Sequence, residues 1–336
     1  MSITIKDVAR ESGVSISTVS KVINGSSRIS SSTKEKVRAV MTELDYHPSS
    51  TARNLVRQRT GNICVVKGLG EGWDWSSNPY VYEILNGVEY RAGEEDYLLS
   101  IVNVRKDKPL MEQLEKYIFS RRIDGFLIFA GLAEKDLTDS LIRMNFPFVL
   151  IGDPGDGRDA SWVDLNNTVA GHQATEELYS RGRRNFLCLR EKKDKLISGK
   201  RLAGVRDFLN GHGLEKVGLT VKTVENGMEG GRDFALAAEK EIMNHDAVIC
   251  CGSISASGLL SGLSSKGIAV PRDISIISFD RYPVSDLTDP PLSVIDMNLK
   301  ELGDRCCSAL LARIEDKGFS IQLTVSSSSF IPGGTV

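Results

Sequence analysis

With 336 residues, the chain exceeds the roughly 250 residues at which a single hydrophobic core stops growing, so two or three domains are expected. Apolar residues at 41% and charged residues at 26% exclude disordered, collagen-like and coiled-coil classes. No run of 18 or more apolar residues occurs, and Met1 to Asp7 lacks the charged-then-apolar order of a signal peptide, so a cytoplasmic location and no membrane partner are expected.

The net charge of −2 hides an asymmetry. Residues 1–60 hold ten Lys and Arg against five Asp and Glu, whereas the remainder holds 32 against 39. A basic head on an acidic body is the pattern expected when only the head approaches a polyanion. The six cysteines show no metal-ligand spacing. Cys64, Cys188, Cys250 and Cys251 lie in strand-like runs, Cys306 and Cys307 in a helix-like one, so buried reduced thiols and no metal are expected.

In chain order, the first elements are helical. The patterns predict helices over Ile5 to Glu11, Ile16 to Ile23 and Ser31 to Leu44, the last with Val37, Val40, Met41 and Leu44 on one face. Thr4, Ser15 and Ser30 stand where N-caps belong, and Gly13 and Asn24-Gly25 supply terminators. Pro48 then stops the helical run. The eight residues after it could form two turns of helix, too short to hold in water without a surface to form on.

From Asn62 onward, apolar runs alternate with amphipathic stretches. Strands are predicted over Ile63 to Lys67, Tyr97 to Val102, Gly125 to Ala130, Phe148 to Ile151, Phe186 to Arg190, Leu219 to Val224, Ala247 to Cys251 and Ile274 to Phe279. Apolar strands separated by helices mean parallel sheets covered on both faces. Eight or more such units overfill one sheet, so two α/β lobes are expected, dividing near Trp162 to Asp164, with a return crossing near Leu292 to Met297.

Ala9 to Val22 has a helix-turn-helix layout: a helix ending at a Gly, a short turn, and a second helix on a Ser cap. Ala9, Val14, Val19 and Val22 can close a small core, leaving Ile16, Ser17, Ser20 and Lys21 outward. Short side chains near a helix N-terminus permit close approach to a major groove, and one long cation can reach guanine O6 and N7.

These residues carry a resemblance. Thr4-Ile5-Lys6-Asp7-Val8-Ala9, Gly13-Val14-Ser15, Thr18-Val19-Ser20-Lys21-Val22, Asn24-Gly25, and Tyr46-His47-Pro48 leading to Ala52-Arg53-Asn54-Leu55 are similar to the DNA-binding headpiece of the LacI/GalR family of bacterial transcription regulators. The resemblance implies that Ile16, Ser17 and Lys21 read bases. It implies that Thr4, Ser15, Thr18, Ser20, Asn24, Arg28, Ser30 and Thr33 position phosphates, and that Ser49 to Val56 becomes a hinge helix with Leu55 as a minor-groove wedge.

Farther on, Ser77-Asn78-Pro79-Tyr80, Arg122-Ile123-Asp124-Gly125, Arg201-Leu202-Ala203-Gly204, Val270-Pro271-Arg272-Asp273-Ile274-Ser275, Ser278-Phe279-Asp280 and Pro290-Pro291-Leu292 resemble the family's effector domain, a relative of periplasmic sugar-binding proteins. The implied fold is an all-α helix-turn-helix headpiece followed by a type I periplasmic-binding-protein-like domain of two parallel-sheet lobes. Tyr80, Arg201 and Asp280 are implied to line a cleft for a small-molecule effector, a sugar or sugar derivative, and Trp73 and Trp75 are candidates to stack on its ring. The chain departs from the family pattern at Gly252-Ser253, at Gly152-Asp153 and at Met297. Lys192, Lys193, Lys195 and Lys200 raise the question of a phosphorylated effector.

The expected organisation is a headpiece over 1–47, a hinge over 48–61 and an effector and dimerisation domain over 62–336. Its first lobe takes 62–162 and 293–325 and its second 163–292. The expected function is a repressor working as a homodimer on a pseudo-palindromic double-stranded operator, without cofactor or catalysis. Enzyme signatures are thin: Gly68-Leu69-Gly70-Glu71-Gly72-Trp73 puts Trp where a dinucleotide loop needs its third Gly, and the four histidines have no ligand spacing. The alternatives are a solute-binding protein and an α/β enzyme with a fused DNA-binding segment.

Overall fold

The computed structural model describes residues 3–23, 26–46, 59–68, 79–105, 107–192, 195–214 and 218–336. The chain divides into two compact units, residues 1–61 with 121–124, and residues 62–120 with 125–336.

The first unit holds three helices, α1 (Ile5–Ser12), α2 (Ile16–Ile23) and α3 (Ser31–Glu43). Val8, Ala9, Val19, Val22 and Val37 are buried together, with Ile5, Val14, Val40, Met41 and Leu44 packed against them. The caps form as their residue types predict. Ser15 Oγ accepts the Thr18 N–H at 3.1 Å and Ser30 Oγ accepts the Thr33 N–H at 3.3 Å. At α1 the work passes to Asp7, whose carboxylate accepts both the Thr4 N–H at 3.0 Å and the Thr4 hydroxyl at 2.7 Å. Gly13 ends α1 at φ +64°, and the Val14 N–H returns to the Ala9 carbonyl at 3.1 Å. The second expected terminator, Asn24-Gly25, and residues 48–58 of the hinge expected over 48–61, Leu55 among them, lie outside the described residues.

In the second unit the elements run β1 (Asn62–Gly68), α4 (Pro79–Glu94), β2 (Leu98–Val104), α5 (Leu110–Phe119), β3 (Gly125–Phe129), a 3₁₀ turn (Ala130–Leu132), α6 (Lys135–Arg143), β4 (Phe148–Ile151), β5 (Trp162–Leu165), α7 (Asn167–Ser180), β6 (Phe186–Glu191), α8 (Lys195–Gly211) and β7 (Leu219–Val224). They continue as α9 (Gly227–Ala237), α10 (Glu239–Ile242), β8 (Ala247–Cys250), α11 (Ser253–Ser265), β9 (Ser275–Phe279), α12 (Pro283–Leu287), β10 (Ser293–Asp296), α13 (Leu299–Glu315), β11 (Gln322–Val325) and β12 (Ser329–Ile331). Two sheets form, ordered β11-β5-β4-β3-β1-β2 and β12-β10-β9-β8-β6-β7. Every neighbour is parallel except β10 with β12. Each sheet is the core of one lobe.

All eight predicted strands form, with ends shifted by no more than two residues. Four more, β5, β10, β11 and β12, are three or four residues long and carry polar or charged residues, which is why no apolar run marks them. They also move the expected lobe boundaries. β5 pairs with β4, Ile151 opposite Val163, so residues 163–165 stay with the first sheet. β10 pairs with β9, Ser293 opposite Ile277, so residues 293–296 belong to the second sheet rather than the first. Short strands stay where they complete a ladder with the strand just before them; the chain crosses only after that ladder is satisfied. The crossings therefore fall at Asn166, at Met297-Asn298 and between β11 and β12. Asn298, at φ +56°, turns the second crossing and caps α13.

Helices cover both faces at close range. A Cβ on Gly171 of α7 would overlap the Arg201 carbonyl of α8, and one on Gly204 of α8 would overlap the Thr168 carbonyl of α7. The two backbones touch there, which seats Arg201 deep against the sheet.

Candidate functional sites in the headpiece and the cleft

In α2 the face opposite the core is the one expected to read bases. Val19 and Val22 are fully or almost fully buried, whereas Ile16 is 45% exposed and Ser17 and Lys21 are exposed beside it. A single exposed aliphatic side chain is ordinary on a protein surface, so Ile16 takes its meaning from its place beside Ser17 and Lys21 on the helix face opposite the packed one. Of the expected phosphate-positioning residues, Thr4, Ser15, Arg28 and Ser30 are exposed and Thr18, Ser20 and Thr33 half-buried; Asn24 lies outside the described residues. Ser15 and Ser30 sit at the N-terminal ends of α2 and α3, where N–H groups and the helix dipole favour an anion. The Asp7 carboxyl is lowered from its ordinary value, first by the Thr4 hydroxyl, then by the Thr4 N–H and Arg10.

The N–H groups of Thr60 and Gly61, the last two residues of the expected hinge, donate to the two oxygens of Asp124, each at 2.8 Å. The carboxylate of Asp124 thus ties residues 60 and 61 to residues 121–124 within the first unit.

In the second unit, parallel strands point their carboxyl ends at the space between the lobes, and each sheet has a switch point there, between β1 and β3 and between β6 and β8. Arg201, 4% exposed, lies at the carboxyl ends of β8 and β9. Its Nε donates to Asn167 Oδ1 at 2.9 Å, Nη1 to the Cys251 carbonyl at 2.6 Å and Nη2 to Asp280 Oδ2 at 3.0 Å. The guanidinium also lies 4.4 Å from the Phe279 ring centroid. Asp280 adopts φ +67°, a left-handed conformation that Asp tolerates better than most residues, and this turns its side chain back toward Arg201. Tyr80, half-buried on α4, packs its ring 6.5 Å from that of Phe129. Tyr282, not singled out by sequence, is buried within electrostatic reach of Asp280, Arg201, Tyr80 and Glu83. Burial above all, then Asp280, pushes its phenol well above the ordinary value. The three described cleft candidates thus gather round a residue that no motif marked; Trp73 and Trp75 lie outside the described residues.

The departures from the family pattern acquire explanations. Gly252 faces Glu191: a Cβ there would come within 2.7 Å of Glu191 Oε1, so the missing side chain makes room for a carboxylate arriving from β6. Ser253 donates to the Asp280 carbonyl at 2.7 Å and helps hold the turn. Met297 is buried in the crossing. Two of the four lysines considered for a phosphate are committed elsewhere, Lys192 to Glu225 and Lys200 to Asp153 and Asp164. The Lys193 and Lys195 side chains lie outside the description.

Residues 4–49 match the sequence pattern of the lacI family of bacterial regulatory proteins, and residues 175–336 that of a periplasmic binding protein-like domain. The HTH-type transcriptional repressor PurR of Vibrio atlanticus (strain LGP32) is 30% identical over 322 residues, 94% of this chain and 92% of that protein. The chain belongs to the LacI family. Catabolite control protein A of Staphylococcus xylosus is 29% identical over 304 residues, 90% of each chain. Among solved structures, a transcriptional regulator CelR–cellobiose complex superimposes with a TM-score of 0.73 at 24% identity, covering 99% of this chain and all of that one. The Lac repressor dimer bound to operator and the anti-inducer ONPF gives 0.74 at 20% identity, covering 100% and 99%. At these identities the structures establish the fold, a LacI-family helix-turn-helix segment followed by two parallel-sheet lobes. PurR is named as a transcriptional repressor and CelR as a transcriptional regulator, and this LacI-family chain is a DNA-binding regulator.

His245 and His212 serve packing, as do the cysteines. His245 bonds to the Glu241 carbonyl at 2.8 Å and Thr220 Oγ1 at 2.9 Å, and His212 stacks on Phe208. All six cysteines are buried, and burial pushes the Cys64 and Cys307 thiols up to about 12. Among the described residues no cluster could hold a metal ion, and no helix is long and apolar enough to cross a membrane.

Proposed function

We propose that the chain is a cytoplasmic repressor, without catalysis, that acts as a homodimer on a pseudo-palindromic operator and is tuned by a small polyhydroxylated effector between its lobes. In this reading the headpiece spans 1–47, the hinge 48–61 and the effector domain 62–336. Ile16, Ser17 and Lys21 read base edges and Leu55 wedges the minor groove. Thr4, Ser15, Thr18, Ser20, Asn24, Arg28, Ser30 and Thr33 hold phosphates. The observation that carries it is the exposed face Ile16-Ser17-Lys21 on a helix whose opposite face is fully packed. Two structural neighbours support the partners: one is a dimer on operator, the other a complex with cellobiose.

In the cleft, the Arg201–Asp280 pair offers a forked donor and an acceptor, and Tyr80 and Tyr282 offer aromatic faces, chemistry suited to ring hydroxyls. The reading also gives Trp73 and Trp75, outside the described residues, the role of stacking on the effector's ring. The effector acts by binding two lobe arrangements unequally, and Asp124 passes the difference to the hinge. Selection from a random-oligonucleotide pool, with and without a panel of neutral sugars and sugar phosphates, tests the reading. A palindromic consensus whose affinity shifts with one class of compound is expected; absence of any sequence preference overturns it.

A further inference from the structure

Lys200 precedes Arg201 on α8, in the second lobe, yet its side chain is bonded to the first. Its Nζ lies 2.9 Å from Asp153 Oδ2 and 2.8 Å from Asp164 Oδ2. Asp153 follows β4 and Asp164 lies in β5, both strands of the first sheet. One ammonium therefore spans the lobes.

The first lobe is built to present this pair. The Gly152 N–H donates to the Val163 carbonyl at 2.8 Å, holding the end of β4 against β5. Gly152 then turns at φ +94°, a conformation that L side chains rarely adopt, and Asp153 emerges beside Asp164. Each carboxylate is also held by backbone: Asp153 Oδ1 accepts the Gly155 N–H at 2.8 Å, and Asp164 Oδ1 accepts the Leu165 N–H at 2.8 Å. Asp164 is 6% exposed, so its charge is largely removed from water. Two carboxylates set side by side, Asp164 buried and Asp153 half-buried, repel unless a cation stands between them. The second lobe brings that cation.

We propose that Lys200, Asp153 and Asp164 form an interlobe latch, and that Lys200 is a positioning residue setting the angle between the lobes without any bound effector. Opening the cleft separates the ammonium from both acids and leaves them facing each other. Gly152-Asp153, where the family more often has Asp at the first position, is then the change that aims a carboxylate at α8. An effector must bind the latched arrangement or drive it apart. The latch stands on its own geometry; its effect on operator affinity rests on the coupling proposed above.

Small-angle scattering of the full chain without added effector, with circular dichroism to check folding, separates the two claims. Lys200→Met, which leaves the acids unscreened, and Asp153→Asn, which weakens the latch from the other lobe, are each expected to enlarge the radius of gyration at unchanged mass. Operator affinity should change by about 2- to 30-fold. If both variants scatter like the wild type, the latch is overturned whatever the DNA titration shows. If both expand and operator affinity is unchanged, the latch stands and the coupling of lobes to headpiece is overturned. Should Lys200→Met fold poorly, Asp153→Asn, on a half-exposed turn, decides the matter alone.

Discussion

Lys21 and Arg201 carry the same charge in opposite settings. Lys21 is exposed on α2 with its stem free to extend, whereas the Arg201 guanidinium is buried and donates to three separate acceptors. Lys21→Ala should leave the fold intact, lower specific operator affinity by ~1–3 kcal/mol and relax preference at one base pair. Binding-site selection with the variant checks this, and an unchanged consensus removes the base-reading role. Arg201→Ala leaves the Asp280 carboxylate buried without its ion-pair partner, a change that costs about 3–5 kcal/mol in comparable settings. Its urea midpoint should fall sharply, so loss of effector response in that variant has to be judged beside its stability. Sequence reasoning reached Arg201 and Asp280 through the family motifs. It missed Asn167, 34 positions from Arg201, and Tyr282, because no local signal links residues that meet only through folding.

At the scale of elements, local chemistry and packing contribute in different ways. Helix limits follow from caps that can be read directly, as at Ser15, Ser30 and Gly13. The seating of α8 on α7 follows from two glycines whose purpose emerges only when the helices meet. Gly204→Ala, innocuous or favourable for an isolated helix, drives a methyl into the Thr168 carbonyl and should destabilise the domain by ~1–3 kcal/mol. Chemical denaturation of the variant measures it, and an unchanged midpoint means that α7 and α8 can separate without loss. The predicted strands share one property, an apolar run long enough to be seen. β5 and β10 lack it and are held by ladders to β4 and β9, which is why the lobe boundaries shifted by a few residues.

Across the whole molecule, the two lobes are linked by three chain crossings and by Lys200. For Asp153, burial acts upward, but the Lys200 hydrogen bond, the Gly155 N–H and the Lys200 charge prevail and hold its pKa below the ordinary value. For Lys200, burial acts downward, and its bonds to Asp164 and Asp153 prevail and raise its pKa. The stabilisation from Asp153 is therefore present above the ordinary Asp range and lost as pH falls through the lowered value. That from Lys200 is present below the ordinary Lys range and lost as pH rises through the raised one. Thermal unfolding of wild type against Asp153→Asn should show a difference that is level from about pH 5 to 9 and shrinks in acid. A difference that instead grows in acid contradicts the assigned direction.

The basic head, the helix-turn-helix, the alternation of strands and helices and the family motifs were all legible in the linear order of residues, because each depends on neighbours within a turn, a strand or one amphipathic period. Which strands share a sheet, where the chain crosses between lobes and which acids surround a given lysine depend on groups separated by tens to more than a hundred positions. Their proximity is decided by how sheets and helices pack, and burial then sets how strongly such charges interact, so only the folded chain reveals that Lys200 answers two aspartates instead of an incoming anion.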